Sequence, residues 1–120
     1  MPKGVNNMQQ RLHDRLLVTI GRGREKAKTA KQLTFQCNID DTDGDSRETR
    51  LMIRQLVAEG NPIASATGRP AGYFVPVTHQ EVKDYAKSLR DRLIEDAKRR
   101  RDFLQASYFI IHPEQLEMGV

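Results

Sequence analysis

The chain has 120 residues, 38% hydrophobic and 30% charged, with a net charge of +4 and a pI of about 9.5. That length suits one domain plus an appendage, and the basic balance leans toward a polyanionic partner. Cys37 is the only cysteine, which excludes an internal disulfide and suits a reducing cytoplasm, and no apolar run approaches the ~20 residues of a membrane span.

Residues 1–7 (MPKGVNN) read as a loose end, because Pro2, Gly4 and two asparagines oppose regular structure. The first ten residues lack the apolar core of a secretory signal. From residue 8 to 20, Met8, Leu12, Leu16, Leu17 and Ile20 recur at helical spacing, with Arg11, Asp14 and Arg15 off the stripe. Gly21-Arg22-Gly23-Arg24 is expected to stop this helix as a basic loop, with Arg22 and Arg24 as candidate phosphate contacts.

Thr29-Ala30-Lys31-Gln32 has the form of a capping box, so a short helix is predicted over 30–36, burying Leu33. Lys26, Lys28 and Lys31 surround its start. A helix N-terminus favours anions, which makes Lys28 and Lys31 further candidates for phosphate. The acidic stretch 38–45 (NIDDTDGD) does not fit a calcium loop. With Gly44 at the invariant glycine, Ile39 falls on the first ligand position and Arg50 on the bidentate glutamate position. Asp43-Gly44 is read as a turn instead, and Asp45 as the cap of the next helix with Glu48 at its third position.

Residues 46–59 predict the helix around which the chain is organised. Arg47, Arg50 and Arg54 lie three and four apart on one face, and Thr49, Met52, Ile53, Leu56 and Val57 form the opposite face. Gly60-Asn61-Pro62 ends it. Ile63, Ser65 and Ala66 lead into a turn at 67–72 (TGRPAG), followed by a β-prone run at 73–77 in which Pro76 marks an edge or an end. Together these make a hairpin with Arg69 at its tip.

Thr78 and Glu81 open a helix expected to persist to about residue 107, with Val77 and Val82 as its hydrophobic staple. Val82, Ala86, Leu89, Leu93, Ala97 and Leu104 form a stripe interrupted by Arg100, which suggests a partner helix. Residues 98–101 (KRRR) form a basic face, and the run 108–111 (YFII) needs cover. His13, His79 and His112 show no ligand spacing or triad. No phosphate-binding glycine signature or carboxylate pair stands out, so neither a cofactor, a metal nor a catalytic activity is expected.

The order helix, short helix, acidic turn, Arg-bearing helix, hairpin resembles the winged helix-turn-helix family. SRETRLMIRQL, LVAEGNPIAS and the glycine-bracketed GRPAGYF carry the resemblance, which covers residues 11–77. The chain is also similar to small phage and prophage-type winged-helix proteins that add a C-terminal helix. The resemblance implies an α+β, mainly α fold: three helices and a β-hairpin wing over 8–77, then a long C-terminal helix and apolar tail over 78–120. In that family the helix matching 46–59 enters the major groove and the wing, here 67–72, touches backbone or minor groove. By position, Arg47, Arg50, Arg54 and Arg69 would face double-stranded DNA, and the C-terminal helix would support a homodimer. Gly68-Arg69-Pro70 also resembles part of a minor-groove hook lacking its first arginine. The implied role is a transcriptional regulator or mobile-element DNA-binding protein in the cytoplasm. The acidic linker is longer than the family's tight turn. The alternative is a protein-interaction module on the same fold, its arginines salt-bridged by the acids of 40–45.

Overall fold

The computed structural model describes residues 7–114. The loose end expected over 1–7 lies outside them except for Asn7, which opens the first helix. The elements are α1 (Asn7–Thr19), β1 (Gly21–Arg22), a 3-10 turn (Arg24–Lys26), α2 (Ala30–Gln36), α3 (Arg47–Ala58), β2 (Ala64–Ala66), β3 (Gly72–Val75), α4 (His79–Ala106) and α5 (Tyr108–Ile111). The protein is thus α+β and mainly helical, as the pattern predicts. The chain divides into two compact units, Met1–Tyr85 and Ala86–Val120, with the boundary inside α4.

In the first unit, α1, α2 and α3 close on a core of Leu16, Ile20, Leu33, Cys37, Ile39, Ile53, Leu56 and Ile63. Leu16, Leu33 and Leu56 are essentially sealed from water, each contributing roughly 1.5–3 kcal/mol by burial. The capping box forms as predicted: Thr29 Oγ1 accepts the Gln32 N–H, and Gln32 Oε1 accepts the Thr29 N–H at 2.8 Å. Both α2 and α3 end in the same device. Asn38 and Gly60 take positive φ, and the next residue's N–H reaches back to Thr34 and Leu56 carbonyls respectively. Gly60 is the expected stop, whereas Asn38 is one the residue pattern does not announce.

Two readings of the chain are corrected. Gly21-Arg22 is not loop but strand β1, and it pairs parallel with β3 through Gly21↔Phe74 and Arg22↔Val75. A Cβ on Gly21 would fall 2.0 Å from the Lys26 carbonyl oxygen, so only glycine lets the 3-10 turn fold back on the strand. Secondly, α3 starts one residue later than expected: its N-cap is Ser46, held at φ 60 with no side-chain cap. Asp45 still assists, since its Oδ1 accepts the Arg47 N–H at 3.0 Å. The apolar face of α3 is also narrower than its periodicity implies. Thr49, Ile53 and Leu56 are buried and Met52 half-buried, but Val57 is 45% exposed.

The sheet has the order β1-β3-β2, with β2 and β3 antiparallel through Ala64↔Phe74, Ser65↔Tyr73 and Ala66↔Gly72. Pro76 directly follows β3, where its missing N–H costs no ladder bond. Phe74 anchors a small second cluster with Ala27 and Ala64, against which Ala66 and Tyr85 pack.

A buried hydroxyl pair joins α2 to α3. Thr34 Oγ1 donates to the Ala30 carbonyl at 2.7 Å and lies 2.6 Å from Thr49 Oγ1, so Thr49 is the donor between them. Thr49→Val keeps the shape but leaves the Thr34 oxygen short of a partner. It is expected to cost ~1–2 kcal/mol in chemical denaturation, with an unchanged m-value. A neutral result would mean that the pair contributes nothing beyond packing.

The second unit holds the rest of α4 and the single turn α5. None of its described residues is buried. Its lysine and arginine ion pairs among the described residues, Lys87–Asp91, Lys98–Glu95 and Arg101–Asp102, are all exposed and each worth little. Among the described residues, no helix is long and apolar enough to cross a membrane.

Candidate nucleic-acid interface

The three arginines of α3 stand on its solvent side. Arg47, Arg50 and Arg54 are exposed, with Thr49, Ile53 and Leu56 buried behind them. The buried face fixes the helix, and the spacing of three and four does the rest. Among the described residues, no carboxylate forms an ion pair with any of the three. The salt bridges that the interaction-module reading requires from residues 40–45 are therefore not made. Arg50 instead donates to the backbone carbonyl of Asp45. Two of the loop's carboxylates are occupied locally: Asp41 Oδ1 accepts the Ser46 N–H at 3.0 Å, and Asp45 takes that of Arg47. Their work is to shape the turn into α3, which answers in part why acids sit beside a basic helix. The described residues contain no group of three or more His, Cys, Asp or Glu placed to hold a metal.

Arg69 is exposed in the connection between β2 and β3, beside the cis Arg69–Pro70 bond. Lys31 is exposed on the first turn of α2, and Arg22 is exposed on β1. The other two basic candidates are committed to the fold. Lys28 is half-buried and its Nζ donates to the Thr19 carbonyl at 2.8 Å, capping the end of α1. Its backbone N–H and C=O pair with Tyr73 at 2.9 and 2.7 Å, adding an isolated antiparallel bridge to β3.

Arg24 holds the hairpin connection. Its guanidinium lies over the Phe74 ring at 5.9 Å from the centroid and donates to the Pro70 carbonyl. Its backbone N–H donates to Glu81 Oε2 at 2.9 Å, while Val77 N–H donates to Oε1 at 2.8 Å. Glu81 thus does more than the predicted helix cap, in which its own N–H donates to Thr78 Oγ1 at 3.1 Å. It clamps the segment after β1 and the end of the hairpin to the start of α4. No local signal announces this, because its partner lies 57 residues away.

The Arg24 N–H, followed by the Val77 N–H, holds the Glu81 carboxyl below its ordinary range, against a smaller opposing effect of burial. A folded-state pKa below the unfolded one means stability that is present above the unfolded value. It is lost as the pH falls through the folded value. The wild-type chain should therefore lose stability on acidification below about pH 4.5. Glu81→Gln should be less stable at neutral pH and show a shallower loss in that acidic window. Parallel acid titrations of melting temperature in the two proteins check this, and superimposable slopes would refute it.

The α3 arginines form an exposed basic helix face, and Arg69 stands exposed on a hairpin steadied by Arg24 and Glu81. Compared with known proteins, the chain matches no family model, no curated protein and no solved structure. The surface itself therefore carries the functional reading.

Proposed function

We propose that this protein binds duplex DNA as a winged helix-turn-helix module, in the role of a transcriptional regulator or mobile-element protein. The observation that carries the reading is the α3 face: three exposed guanidiniums on a helix whose other side is buried, none paired with a carboxylate among the described residues. Guanidiniums free of carboxylates are available to phosphates and to guanine edges. The element order supports it. Helix, strand, short helix, Arg-bearing helix and hairpin follow one another in the order that such a module uses, with Arg69 at the wing. In this reading α3 enters the major groove and residues 67–72 lie on the backbone or minor groove. The protein acts as a homodimer through its C-terminal helix, so that two modules engage paired half-sites.

The test is titration of the purified protein against duplex fragments at several salt concentrations. Engagement of ~4–6 phosphates predicts that log affinity falls with log salt by about 0.9 per phosphate. A flat dependence, or no binding at low salt, would favour the protein-interaction module instead.

A further inference from the structure

We propose that the second unit pairs with a second copy of itself in antiparallel orientation. Leu93 then packs against Leu104, Leu89 against Tyr108, Ala86 against Ile111, and Ala97 against Arg100. The proposal rests on the dimer put forward above and assigns its geometry.

Ala86, Leu89, Leu93, Ala97, Arg100, Leu104, Tyr108 and Ile111 follow one another at steps of three and four that repeat every eleven residues. An eleven-residue period is 3.67 residues per turn, close to that of a straight helix, so the stripe stays on one face along α4. A seven-residue period is not what this stripe keeps. The face is open to water, with Leu93 71% and Ile111 54% exposed. Arg100, Leu104, Tyr108 and Ile111 line one shallow groove, so the stripe continues past Ser107 from α4 into α5. The helix breaks at Ser107, at φ −94 and ψ 8, while the Ser107 N–H still reaches the Phe103 carbonyl at 3.0 Å and the Ile111 N–H the Ser107 carbonyl at 3.1 Å.

The occupant is a second copy because the step order, 3-4-4-3-4-4-3, reads the same in both directions. Reversing one copy therefore lays each stripe position from Ala86 to Ile111 on another, as a two-fold contact between identical surfaces requires. Size and charge choose the antiparallel sense. A parallel pair would stack Arg100 on Arg100 at the middle of the contact and leave alanine against alanine. Reversed, the small Ala97 gives the Arg100 stem room, and Asp96 of the other copy comes within reach of the guanidinium. Ala86 likewise accommodates Ile111. Polar residues at such seams are known devices for setting orientation.

The experiment uses the full chain carrying single cysteines, oxidised without DNA. Cys37 is fully buried and serves as the unreactive background. A mixture of Ala86→Cys and Ile111→Cys chains should cross-link to each other, whereas Ala86→Cys alone should not, because its two copies lie about 37 Å apart along the pair. Arg100→Asp should raise the dimer dissociation constant about tenfold, and Asp96→Arg in the same chain should restore it. Efficient cross-linking of Ala86→Cys alone would overturn the antiparallel sense and leave the dimer standing. A monomer by light scattering at tens of micromolar would overturn the pairing altogether. If that monomer still bound DNA with a steep salt dependence, the DNA reading would survive without it.

Discussion

Gly72→Ala is expected to cost at least ~3 kcal/mol, a large share of the roughly 5–15 kcal/mol that holds a domain of this kind together. Gly72 sits at φ +122, where an L side chain is strained by ~1–3 kcal/mol. A Cβ there would also fall 2.1 Å from the Lys28 carbonyl oxygen and 2.5 Å from the Thr29 nitrogen. Backbone cannot yield that distance without breaking the Lys28–Tyr73 pair of hydrogen bonds, a further ~1 kcal/mol for each bond lost. Because β3 is the middle strand, the damage reaches β1 and β2 together. Gly44→Ala is the matched control. It too has positive φ, +72, but nothing lies within 4 Å of the added methyl, so only the backbone cost of about 1 kcal/mol applies. Urea denaturation of the two variants separates them. Equal stabilities would mean that β3 and the segment at Lys28 do not approach so closely.

Replacing Arg47, Arg50 and Arg54 together with alanine is expected to lower DNA affinity at least ~100-fold while leaving the fold nearly intact. Each guanidinium lost from a base or phosphate is worth roughly 1–3 kcal/mol, so a hundredfold is a cautious sum over three. The salt slope should fall by about 0.9 for each phosphate contact removed, which tells phosphate contacts from base contacts. The side chains are exposed, and among the described residues only that of Arg50 makes a bond, to the Asp45 carbonyl. Thermal stability should thus change by no more than ~1 kcal/mol. Affinity and slope both unchanged, in a variant that remains folded, would remove α3 from the interface. A large fall in stability would make the face structural instead.

Local chemistry made much of this protein legible from its residues alone. A helix cap, a glycine stop and a buried stripe are decided by groups no more than about four positions apart. Thr29 with Gln32, Gly60 after α3, and Thr78 with Glu81 therefore stand where the residues place them, as do the two faces of α3 apart from Val57. Only the tertiary structure decided which basic groups are free. Lys28 and Arg24 carry the same charge in the sequence as Arg47, Arg50 and Arg54, but Lys28 is spent on the Thr19 carbonyl and Arg24 on Pro70 across 46 residues. The two-residue strand β1 is likewise invisible beforehand, because Gly21-Arg22 has no strand character until β3, some fifty residues later, offers a ladder. Such choices depend on which distant carbonyls and strands the chain closure brings within about 3 Å, and no periodicity or cap along the chain encodes that.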